Sequence, residues 1–322
     1  MGTVVALAGQ VGGAKLADGL HRLRGKDLAV LVNTADDYEH LGLAFSPDVD
    51  TVLYALAGIA SASAGWEPDG ETQVLHRMLK SLGGPERPAI GDKSLAAPIL
   101  RTEWLRNDRR PTQIALEFAR RLGIQARILP MSDDPVRTNV LSEEGALTFH
   151  EYFHELGCEP IVRGFQYAGA DEARISDEVL DALHAPDLEA VIFCPANPYH
   201  VIKPILAVGG MRELLRKRGA PVIAVTPIVG GKALKGSAGK IMRELGKDPS
   251  PLAAAAEYLR LIDGFVIDQA DAGQTESVRS LGIEVHAAQT VMRTVDDRVL
   301  LARSILDFAR ALREKKAVEA EG

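Results

Sequence analysis

The chain has 322 residues, 46% of them apolar and 25% charged, the balance of a globular protein with a core to bury. Its 37 Lys and Arg against 44 Asp and Glu leave a net charge of −7, which disfavours non-specific binding to nucleic acid. Two cysteines, Cys158 and Cys194, cannot build a disulfide framework or a zinc site and suit a reducing cytoplasm. No apolar run reaches the ~18 residues of a membrane span, and no basic n-region precedes an apolar core.

Short apolar runs alternate with amphipathic stretches along the chain, the signature of strand–helix units in a parallel sheet. The first strand is predicted at 4–8. A glycine loop follows, Gly9-Gln-Val-Gly-Gly-Ala-Lys15, and then a helix at 15–23. Glycines let backbone N–H groups approach a phosphate, and the helix start favours an anion. The spacing is neither GxGxxG nor a Walker A. It also fits a plain tight turn, but its place after strand one and Lys15 favour anion binding.

A strand at 28–32 leads into Asn33-Thr-Ala-Asp36-Asp37, and Ser46-Pro-Asp48-Val-Asp50-Thr51 opens a helix at 50–56. Asp48 and Asp50 could serve only the helix start, after a Ser46 cap and Pro47. Four carboxylates on neighbouring loops of one sheet edge also suit a hard divalent cation such as Mg²⁺, which binds a few carboxylates plus substrate phosphates. Residues 60–88 are rich in Gly, Pro, Ser and Ala and read as mobile, with one helix near 71–82.

A helix at 111–122 and a strand at 126–129 precede Pro130-Met-Ser132-Asp133-Asp134-Pro-Val-Arg137-Thr138. This loop reads equally as an Asp-Pro turn and as a pocket wall with Arg137 near an anion. Residues 138–154 carry a hairpin signal around Glu143-Glu144-Gly145. A helix at 177–183 and a strand at 190–194 come next, with Cys194 as a buried thiol. The rigid loop Pro195-Ala-Asn197-Pro198 offers one amide edge. A helix at 211–217 and a strand at 222–225 lead to a second Gly- and Lys-rich loop from Thr226 through Lys235 and Gly236 to Lys240, again suited to an anion. Helices at 236–245 and 252–261, a strand at 264–267 and a helix at 297–312 complete the pattern. His150 and His154, on a predicted strand and outside any HExxH, read as surface or structural.

These elements predict an α/β fold of Rossmann-like type, a mostly parallel sheet with helices on both faces and a small antiparallel hairpin and helical insertion. Residues 1–314 form one domain, with insertions near 60–110 and 138–170, and 315–322 a disordered tail. Loops at the carboxyl ends of parallel strands meet in one crevice. Two Gly/Lys loops and an acidic cluster there fit a nucleotide or diphosphate with Mg²⁺, and so phosphoryl or nucleotidyl transfer.

In this order the loops resemble the 2-phospho-L-lactate transferase (CofD-like) family of deazaflavin coenzyme F-420 biosynthesis, over nearly the whole chain. The resemblance is carried by NTADDYEHLGLAFSPDVDTVLYALAG from Asn33, ILPMSDDPVRT from Ile128 and TPIVGGKALKG from Thr226, supported by LTFHEYF from Leu147. It implies a donor that is a guanosine diphosphate ester of phospholactate, phosphoenolpyruvate or phosphoglycerate. The acceptor is the ribityl hydroxyl of the deazaflavin Fo, the leaving group GMP, and Mg²⁺ the cofactor, in a cytoplasmic homodimer. It places Asp36 and Asp50 as catalytic residues and Asp36, Asp48 and Asp50 at the metal. Substrate binding falls to Gly9, Gly12, Gly13, Lys15, Asp37, Asp92, Ser132, Asp133, Arg137, Asn197, Pro198, Lys235 and Gly236. The chain departs from the family pattern at Gln10, where a glycine is usual, and at Gln73, Ser94 and Ala196. A paralogue with a changed donor or acceptor is therefore one alternative. A non-catalytic nucleotide or nucleotide-sugar regulator like the gluconeogenesis-factor family is another, though Tyr38-Glu-His-Leu-Gly42 after the Asp-Asp pair favours the transferase. A nicotinamide dehydrogenase lacks its GxGxxG.

Overall fold

Apolar residues on both faces of the inner strands bury the middle of a seven-stranded sheet. The strands are β1 (Thr3–Ala8), β2 (Leu28–Val32), β5 (Arg127–Pro130), β9 (Leu188–Phe193), β10 (Val222–Val225), β13 (Gly264–Asp268) and β14 (Glu284–Ala288). Their spatial order is β14-β13-β10-β9-β1-β2-β5, and every pairing is parallel. The computed structural model describes residues 2–233 and 236–321. Val5, Leu7 and Phe193 face one core, and Val4, Ala6 and Ile192 the other, the period-2 alternation of a sheet covered on both sides.

The order of strands reverses at β1. The chain moves from β1 to β2 and β5 on one side, then to β9, β10, β13 and β14 on the other. The crevice beyond the carboxyl ends of β1 and β9 is thus a topological switch point, where open α/β sheets bind ligands.

Three small antiparallel ribbons decorate that edge. The predicted hairpin is present: β6 (Arg137–Ser142) pairs with β7 (Gly145–Thr148) and also with β8 (Val162–Ala168). Two further ribbons were not foreseen, β3 (Tyr38–His40) with β4 (Leu43–Phe45) and β11 (Ile228–Val229) with β12 (Lys232–Ala233). Both close through two residues of positive φ, Leu41-Gly42 and Gly230-Gly231, as tight hairpins require.

Helix α1 (Gln10–Arg24) begins five residues before the predicted start, so the glycine loop is its first turn. Helices α2 (Pro47–Leu56), α3 (Val74–Ser81) and α5 (Pro111–Arg121) match predicted ones, whereas α4 (Ala96–Arg106) was not predicted. The C-terminal helix Val295–Glu321 packs on α1 and runs through the stretch read as a tail. The sequence reading also omitted β14. His150 and His154 lie not on a strand but at a short π-helix, Glu151–Glu155. No helix of the described residues is long and apolar enough to cross a membrane.

Candidate active site

A cavity of about 1090 Å³ opens at the switch point, above the ~300–1,000 Å³ usual for a single small ligand. Its floor is the start of α1. Gly9 precedes that helix, and a Cβ there would sit 2.4 Å from Asp48 Oδ2. A Cβ on Gly12 would sit 2.4 Å from the Pro195 carbonyl oxygen. Only glycine lets the turn, the Asp48 carboxylate and the β9 loop come this close. Gln10, between them, holds a φ of +54°, a left-handed conformation that glycine adopts without strain and glutamine does not.

The carboxylates of the second loop separate into three environments. Asp48 Oδ1 accepts from the Gln10 backbone N–H at 2.7 Å, and Oδ2 from Asn33 Nδ2 at 2.9 Å. Burial, with the Asp36 charge beside it, nevertheless pushes its carboxyl up to about 7. Asp36 Oδ2 lies 2.9 Å from His200 Nδ1, while its Oδ1 is buried without a partner. Asp50 is instead bound by Arg101 from α4, both side chains being buried. Burial raises the Asp50 carboxyl, and the guanidinium opposes the rise. Asp37 lies behind the wall, accepts from Ser46 Oγ at 2.7 Å and is raised by burial to about 8.

Aromatic and imidazole rings make the wall that leads away from these carboxylates. Tyr38 stacks between Phe45, at 5.0 Å, and His150, at 4.1 Å. His154 follows at 5.1 Å from His150. Burial lowers both imidazoles, His154 to about 4, and so favours their uncharged forms. Residues 86–91 and Trp66 complete this end. Arg87 Nη1 reaches across to the Glu155 carbonyl oxygen at 3.1 Å.

Of the residues anticipated for the site, Gly12, Lys15, Asp36, Asp48, Asp50, Asn197 and Gly236 line the cavity. Lys15 Nζ also donates to the Met292 carbonyl oxygen at 2.9 Å. Asn197 Oδ1 accepts from the Tyr199 N–H, and its Nδ2 is buried without a partner. Gly9 and Gly13 sit one layer behind, against Asp48 and Ala8. Pro198 begins a buried π-helix and is not in the wall.

The remaining polar candidates serve the scaffold. Asp92 accepts from the backbone N–H groups of Val74 and Leu75 and holds the start of α3. Asp133 does the same for α5 through the Thr112 N–H, and also pairs with Arg110. Ser132 Oγ donates to the Arg174 carbonyl oxygen, and Arg137 to that of Val136. Of the two anticipated readings of that loop, the turn is what these contacts describe. Lys235 lies outside the described residues. The sequence reading passed over Tyr54, the ring wall and residues 290–293, which follow the unpredicted β14.

Among the described residues no group of three or more His, Cys, Asp or Glu is arranged to hold a metal ion. Asp50 is drawn aside by Arg101, but Asp36 and Asp48 remain as adjacent buried carboxylates, one with an orphaned oxygen. Two such groups, completed by phosphate oxygens, are a donor set for a hard cation.

Comparison with known proteins finds similarity over nearly the whole chain. The family model described as "2-phospho-L-lactate transferase CofD" matches residues 4–299. A "2-phospho-L-lactate transferase" of Methanopyrus kandleri is 39% identical over 96% of this chain and 98% of its own. A "phosphoenolpyruvate transferase" of Streptomyces griseus is 35% identical over 96% and 99%. Among solved structures, a Bacillus halodurans protein of the upf0052 family superposes with a TM-score of 0.62 at 16% identity, covering 95% of this chain and 98% of that one. At that identity the likeness shows the fold alone.

Proposed function

The chain belongs to the 2-phospho-L-lactate transferase CofD family, and from that premise we propose that it moves a phospho-acid from its guanosine diphosphate ester to the ribityl hydroxyl of Fo. The hydroxyl oxygen bonds to the phosphorus nearest the small acid. The bond from that phosphorus to the bridging oxygen breaks, and GMP leaves. The relatives' names divide between phospholactate and phosphoenolpyruvate, and the donor acid belongs to that set or is phosphoglycerate.

The observation that carries this reading is the set of orphaned buried polar atoms in one cavity wall. Asp36 Oδ1 offers a lone pair and Asn197 Nδ2 a donor. Buried polar groups without partners mark where a ligand completes the structure. The start of α1 adds N–H groups that have no intrahelical acceptor, which suits the diphosphate. The ring wall suits a planar heterocycle, and the cavity has room for both substrates.

Asp36 and Asp48 would hold Mg²⁺, which neutralises diphosphate charge and the charge developing on the leaving oxygen. Asp36, with its partnerless oxygen, is our candidate for taking the hydroxyl proton, a role that competes with binding the cation. The glycine loop positions the diphosphate, and Asn197 the nucleotide side. Chromatography of GMP tests the reading. With Mg²⁺ and a guanylylated acid, GMP should form only when Fo is added. GMP at the same rate without Fo would make the protein a hydrolase and contradict the transfer.

A further inference from the structure

His200 lies behind the carboxylates, 1% exposed, and the transfer scheme leaves it unused. Its Nδ1 is 2.9 Å from Asp36 Oδ2. Its other nitrogen, Nε2, is 3.3 Å from Gln10 Nε2. A carboxamide nitrogen only donates, so His200 Nε2 faces it as the acceptor. The ring proton then sits on Nδ1 and points at the Asp36 carboxylate, which only accepts. Both neighbours select the same tautomer. Phe149 stacks on the ring at 4.3 Å, and the His200 carbonyl oxygen accepts from Asn33 Nδ2 at 3.1 Å. Asn33 Nδ2 also donates to Asp48 Oδ2. The His200 side chain therefore holds one carboxylate, and its backbone shares a donor with the other.

We propose that His200 is a positioning residue for Asp36: as the Nδ1–H tautomer, backed by Gln10, it binds Oδ2 and leaves Oδ1 as the oxygen that works on the substrates. A carboxylate fixed at one oxygen keeps a single orientation, so the other oxygen stays where the acceptor hydroxyl arrives. Gln10 occupies a strained backbone position, and this contact gives its side chain a use there that glycine lacks.

The kinetic part of this inference rests on the transfer reading; the tautomer does not. Ring nitrogens of the ¹⁵N-histidine-labelled full chain, without substrate, report the tautomer directly, with His200 assigned among the eight histidines by its loss in His200→Asn. The expected signal is Nδ1–H, and an Nε2–H signal overturns the proposal. For kinetics, His200→Ala removes the donor to Asp36, whereas His200→Asn keeps an amide donor near the Nδ1 position. Both lose the ring stacked on Phe149, so a packing effect is common to the two. His200→Ala should lower kcat about 10- to 100-fold with little change in KM, and His200→Asn should recover most of it. Equal losses in the two variants, or no loss in either, overturn the proposal. Should the unmodified protein form no GMP, the transfer reading fails and the ring signal alone decides the tautomer.

Discussion

At the residue scale, the site depends on what each carboxylate faces. Asp36 and Asp48 share a buried corner, and the cost of two like charges there is what a cation or a proton would relieve. Asp36→Asn should lower GMP release by about 10²–10⁴-fold and leave the melting temperature nearly unchanged. Turnover within twofold of the unmodified protein would remove Asp36 from the chemistry. Asp50 has a different task. Its partner Arg101 is buried, so Arg101→Ala would leave a buried carboxylate unpaired and should cost about 3–5 kcal/mol of stability by denaturant unfolding. A loss below about 1 kcal/mol would mean that Asp50 is served by water. Residue types and their order revealed the glycine turn and the acidic loop. They could not reveal which acids are spent on the scaffold. Asp92 and Asp133 look in sequence like Asp36, yet each satisfies the N–H groups at a helix start. That distinction depends on α3 and α5 arriving from elsewhere in the chain.

At the scale of elements, the regular strands were legible because each is a short apolar run closed by turn residues. β14 was not, since EVHAA mixes charge with apolar residues at the sheet's edge. The ring wall was missed because its members come from β3, β4 and the π-helix Glu151–Glu155, which meet only through the fold. One junction carries a pH prediction. Glu257 accepts from Tyr199 Oη at 2.8 Å and from Lys203 Nζ at 2.5 Å, and also binds Lys247. Burial favours its neutral form, but these donors outweigh burial and hold its carboxyl below the ordinary 4.5. A group lowered on folding stabilises the native state fully above its unfolded pKa. That stability is lost as pH falls through the folded value. The chain should therefore lose stability below about pH 4.5, and Glu257→Gln should flatten that part of the profile. An unchanged slope in the variant would show that other carboxylates set the acid limit.

At the scale of the whole molecule, the strand order is what gathers the site. Reversal at β1 brings the loops after β1, β2, β9 and β10 to one crevice, as the alternating pattern of the sequence predicts. The loop after β5 also follows a strand, but its side chains turn to α5 and Arg174 instead, so position at the sheet edge alone does not assign a residue to the cavity. The proposed transfer comes down to the joining of two small molecules in that cavity. Mass spectrometry of one reaction tests it most directly: the protein, Mg²⁺, Fo and guanylylated phospholactate, phosphoenolpyruvate and phosphoglycerate in equal amounts. One dominant Fo phosphodiester with a matching amount of GMP is the expected result. Absence of every Fo phosphodiester, from protein that still binds GDP by calorimetry, would contradict it.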